Sequence, residues 1–65
     1  MKASEIKWLR YGLGLTQTEF AHKLGVGYTT LNRWENGKHK PTKLALEKLN
    51  QLKKEYDENQ SSGSK

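Results

Sequence analysis

Apolar residues recur along this chain in four short runs with helical spacing, and the first three runs are each closed by a glycine. Ile6, Leu9 and Leu13 fall at i, i+3 and i+7, which predicts a helix over residues 4–13 with Ser4 as its N-cap and Gly14 as its stop. Thr16 opens a second helix whose inward face is Phe20, Ala21 and Leu24, ended by Gly25. Tyr28 to Asn36 predicts a third, with Leu31 and Trp34 turned inward and Gly37 after it. Lys38-His39-Lys40-Pro41 reads as a loop, and Thr42 caps a last helix from 43 to near 56. From Asp57 the chain is polar, and residues 57–65 are expected as a disordered tail ending in Ser61-Ser62-Gly63-Ser64-Lys65. The fold class that follows is all-α: residues 1–56 as one compact bundle of four to five short helices.

Only Gly25-Val26-Gly27 separates the second helical pattern from the third. Two helices joined so briefly cannot lie antiparallel with much overlap, so they cross steeply, as in a helix-turn-helix unit. The crossing demands a small side chain at the contact, which Ala21 supplies, and a residue free to take left-handed backbone angles, which Gly25 supplies. Val26 is the apolar plug expected beneath both helices. At 100° per residue, Leu31 and Trp34 face inward while Tyr28, Thr29, Asn32, Arg33 and Asn36 cluster on the opposite side. That side is polar and its charge is positive. A helix held outward by a fixed turn fits the major groove of double-stranded DNA, about 12 Å wide.

Charge sharpens this picture. The 65 residues carry net charge +5 and a pI near 9.6. Residues 1–27 hold four Lys/Arg against two Glu, residues 28–43 four against one, and residues 44–65 four against four, so the excess gathers around the third helix and the loop after it. The expected partner is a polyanion. Other chemistries recede. There is no cysteine, His22 and His39 lack ligand-spaced companions, and no phosphate-binding glycine motif occurs. No enzymatic function, metal or cofactor is expected. No apolar run approaches membrane-spanning length and no signal-peptide pattern opens the chain, so the expected location is cytoplasmic, at the nucleoid when on DNA.

The segment LGLTQTEFAHKLGVGYTTLNRWENGKHKPT resembles the helix-turn-helix domains of the phage repressor and Cro group, the XRE family, over residues 4–52. The resemblance implies a lambda-repressor-like fold. It implies that Gln17 contacts a phosphate and steadies the first side chain of the recognition helix. It places Tyr28, Thr29 and Arg33 at base edges, flanked by Thr30 and Asn32, with Asn32 counted among the base readers and Thr30 toward the backbone. Asn36, Lys38 and Lys40 correspond to a loop that grips the sugar-phosphate backbone, and Lys43 is expected beside them. Arg10 and Glu35 match a pair that forms an internal salt bridge in several relatives. Two features depart from the pattern: Tyr28 stands where many relatives have glutamine or serine, and KKEYDENQSSGSK replaces the usual fifth helix.

The reading is a sequence-specific double-stranded DNA-binding protein, a transcriptional regulator of the repressor type. The alternatives are an antitoxin or DNA-targeting module with a second, protein-binding surface, and a protein-interaction module without DNA binding. Ala45, Leu49, Leu52 and Tyr56 form a stripe expected to pack on the core, whose end at Leu52 and Tyr56 is placed to meet a twofold mate on a palindromic site. Trp8 and Tyr11 lie away from the first helix's apolar stripe. Either the last helix or its tail folds over them, or they bind a protein partner.

Overall fold

A computed structural model describes residues 1–63, with side chains described through Asn59; Ser64 and Lys65 of the expected tail lie outside the described residues. The described chain is all-α, in the order α1 (Ala3–Leu13), α2 (Gln17–Leu24), α3 (Tyr28–Glu35) and α4 (Lys43–Gly63).

Local chemistry sets most of the boundaries. Thr16 and Glu19 form a reciprocal capping box: Glu19 N–H donates to Thr16 Oγ1 at 3.1 Å and Thr16 N–H to Glu19 Oε1 at 2.9 Å. Thr42 Oγ1 accepts the Ala45 N–H at 3.2 Å and starts α4. Gly14 and Gly25 cap α1 and α2 in the left-handed conformation, at φ 72° and 74°.

Three boundaries differ from the sequence expectation, the smallest by one residue: α3 closes at Glu35, with Asn36 as its C-cap, rather than at Asn36. Lys2, not Ser4, is the N-cap of α1, because the Glu5 carboxylate accepts the Lys2 main-chain N–H at 2.8 Å and the helical ladder begins with Ile6 N–H to Lys2 O at 3.1 Å. That hydrogen bond holds the Glu5 carboxyl below its ordinary pKa. At the other end α4 runs past Tyr56 to Gly63, since Asp57, Glu58 and Asn59 are polar without being helix breakers and the next glycine is Gly63.

The core lies where the four helices meet, formed by Ile6, Leu9, Phe20, Ala21, Leu24, Leu31, Trp34, Ala45 and Leu49. Ile6, Phe20, Leu31 and Leu49 are fully buried, each contributing about 1.5–3 kcal/mol of transfer free energy. Ala21 sits at the α2–α3 crossing, and Val26 packs half-buried against the core beneath the turn. Leu52 and Tyr56 also pack half-buried against this core. The Tyr56 ring lies so close over Gly12 that a Cβ there would come within 2.8 Å of Tyr56 Cζ. Trp8 and Tyr11 are not covered by α4: they remain 70% and 55% exposed and meet each other edge to face at 5.9 Å.

Candidate nucleic-acid interface

The placement of α3 begins with what it buries. Leu31, Trp34 and Glu35 are buried along its inner side, whereas Tyr28, Thr29, Thr30 and Arg33 are exposed and Asn32 is half-buried at the margin. Glu35 is the sole acidic residue of α3, and it is 4% exposed. A buried carboxylate needs a partner. Arg10, itself 9% exposed, supplies it: Nε donates to Glu35 Oε2 at 2.8 Å and Nη2 to Glu35 Oε1 at 3.1 Å. Arg10 Nη1 also donates to the Leu15 carbonyl at 3.2 Å, tying α1 to the approach of α2. Hydrogen bonding to Glu35 outweighs burial and raises the Arg10 pKa further above its already high ordinary value. The pair thus pins α3 to α1 and removes its one negative charge from the outer face.

Gln17, the first residue of α2, joins the same cluster. Its Nε2 donates to Glu35 Oε1 at 3.1 Å and to Asn32 Oδ1 at 3.2 Å. Both amide protons are thereby engaged inside the domain. The side chain it holds is Asn32, where the resemblance implied Tyr28. The main-chain N–H groups of Gln17 and Thr18 precede the first bond of the α2 ladder, from Phe20 N–H to Thr16 O at 2.9 Å, while that of Glu19 is taken by Thr16.

The loop after α3 is fixed by its backbone. Lys38 and His39 N–H groups donate to the Arg33 carbonyl at 2.9 and 3.4 Å, and Gly37 turns with φ 77°. Asn36, Lys38, Lys40 and Lys43 are all exposed. The outer face of α3 thus carries no acid, and three exposed lysines follow it in the chain. Sequence reasoning missed the links from Gln17 to Asn32 and Glu35, which span 15 and 18 positions and leave no periodic trace. The donor–acceptor complementarity of the three side chains was the available signal. Among the described residues no cluster of His, Cys, Asp or Glu is placed to hold a metal ion, and no helix is long and apolar enough to cross a membrane.

A short glycine-hinged crossing of α2 and α3, with α3 anchored by its inner side and presenting a cationic outer one, defines a helix-turn-helix DNA-binding domain. Residues 6–52 match the family model described as Helix-turn-helix, and the chain belongs to that family, of the Cro/C1 type. No curated protein and no solved structure matched the chain.

Proposed function

We propose that the protein binds specific double-stranded DNA sequences through α3 in the major groove and acts in the cytoplasm as a transcriptional regulator of the repressor type. The observation that carries this reading is the inward turn of Glu35, which leaves α3 with an outer face of hydroxyl, amide and guanidinium groups. Tyr28, Thr29, Asn32 and Arg33 read base edges. Thr30, Asn36, Lys38, Lys40 and Lys43, with the first turn of α2 at Gln17, hold the backbone. Arg33 is exposed and long enough to donate two hydrogen bonds to one guanine, a contact worth about 1–3 kcal/mol of discrimination. Selection from a random duplex pool at low and moderate salt tests the proposal. The wild type is expected to enrich one consensus and Arg33→Ala to lose stringency at one position of it; a pool that stays random in the wild type refutes it.

A second reading has its own support. Trp8 and Tyr11 form an exposed aromatic pair on α1, which suits an antitoxin or a DNA-targeting module that holds a protein partner there. Twofold pairing through Leu52 and Tyr56 has less support, because both side chains already pack on the domain's own core.

A further inference from the structure

Hydrogen-bond polarity runs in one direction across the α1–α3–α2 contact. Arg10 has donors and no acceptor, and it grips both oxygens of Glu35. A carboxylate in such a pair only accepts. The Gln17 amide must therefore turn its nitrogen, not its oxygen, toward Glu35, and Nε2 does so at 3.1 Å. The remaining Nε2 proton requires an acceptor from Asn32, which presents Oδ1 at 3.2 Å. Each assignment forces the next. With Oδ1 directed at α2, the Asn32 amide nitrogen is the atom left to aim away from the domain.

We propose that Asn32 is a donor-only reader of the major groove, and that Gln17 is the positioning residue that sets its polarity. The inference rests on the reading of α3 as the major-groove helix. A free asparagine pairs with adenine through both amide atoms, accepting from N6 while donating to N7. Asn32 cannot turn both atoms toward one base while its oxygen is held by Gln17. An outward N–H2 is best received by guanine, which offers O6 and N7, and by thymine O4; adenine offers N7 beside its own N6 amino group, and cytosine offers only the N4 amino group, which opposes it. A buried arginine on α1 thus dictates, through two intermediates, which class of base is accepted at one position of the site.

Binding-site selection with wild type, Gln17→Ala, Asn32→Ala and Asn32→Asp tests this, each variant first shown to be folded by circular dichroism. Preference is a ratio between duplexes, so a uniform loss of affinity from the added charge of Asn32→Asp cancels. Wild type is expected to favour guanine or thymine over cytosine at one position by about five- to tenfold, the scale of a single net hydrogen bond, with adenine between. Asn32→Ala abolishes that preference. Asn32→Asp replaces the outward nitrogen by an oxygen while its inner oxygen still accepts from Gln17, and the preference inverts toward adenine or cytosine. Gln17→Ala frees Asn32 to rotate, so amino and keto bases become equally accepted at that position while the other positions keep their stringency. An unaltered preference in folded Gln17→Ala, or no inversion in Asn32→Asp, overturns the relay even if the wild type binds DNA selectively. A wild type that binds no duplex selectively overturns the major-groove reading itself.

Discussion

Arg10 and Glu35 lie 25 positions apart and meet where α1 passes α3, with side chains 11% and 1% exposed. Truncating one member strands the other. Arg10→Met leaves a buried carboxylate facing a single amide donor, which costs about 3–5 kcal/mol, while a core this small supplies about 3–5 kcal/mol in all. Arg10→Met is therefore expected to be largely unfolded at 25 °C, and the double variant Arg10→Met with Glu35→Leu to regain much of the loss. Urea denaturation followed by circular dichroism measures both; a single variant as stable as wild type would mean that the pair is solvated. At Glu5 the sign is set by the depressed pKa: its cap on Lys2 N–H is fully present above the unfolded pKa and fades as pH falls through the lower folded one. A carboxyl titration by NMR is expected to place Glu5 below the ordinary glutamate range. Residues of this kind were only half legible in the sequence. Arg10 could be seen bordering an apolar stripe, but its partner came from the family resemblance, since a contact across 25 positions has no local signature.

At the scale of elements, what is decided within one turn was readable and what is decided across the bundle was not. Thr16, Thr42, Gly14 and Gly25 act through bonds to residues at most five positions away, and the ends they mark were predicted in place. The start of α1 shifted because the Glu5 side chain, rather than that of Ser4, satisfies the helix entry. α4 continues past the polar residues from Asp57 because polarity alone is no stop, whereas glycine, proline or a cap is. The seat of Tyr56 on Gly12 was invisible in the sequence for a similar reason: it joins two helices through a missing side chain. Gly12→Ala should gain about 1 kcal/mol of helix propensity but must push the tyrosine ring away. A double-mutant cycle with Tyr56→Ala is expected to show a coupling of at least about 0.5 kcal/mol, with the alanine stabilising only once the ring is removed. Strict additivity in thermal melts would show that the ring rests elsewhere.

For the whole molecule the governing quantity is where the surplus positive charge sits. Each lysine that neutralises a phosphate releases counterions and adds about 0.9 to the slope of log affinity against log salt. Replacing Lys38, Lys40 or Lys43 singly by alanine is expected to lower that slope by about 0.9 and weaken all duplexes alike. Lys53, paired with Glu5 at 3.6 Å, is the control whose replacement leaves the slope alone. Fluorescence-monitored titrations at four salt concentrations would read this, and a slope unmoved by all three replacements would remove the loop from the interface. Beneath this charged surface, stability is distributed unevenly along α3. Its last turn is tied by Trp34 and Glu35, whereas its first turn starts from Gly27 with no side-chain cap and is exposed at Tyr28, Thr29 and Thr30. Amide exchange along this one helix should therefore run from fast at Thr29 and Thr30 to slow at Trp34 and Glu35. Gly27 has φ −76° and open space around a Cβ, so Gly27→Ser fits, supplies a cap and narrows the unfolded ensemble, for a gain of about 0.5–1 kcal/mol. That gain would come at the end of the helix proposed to meet the bases. On that reading, a stiffer start in Gly27→Ser is expected to narrow the set of duplex sequences the protein accepts, which binding-site selection would show as a sharper consensus than that of wild type.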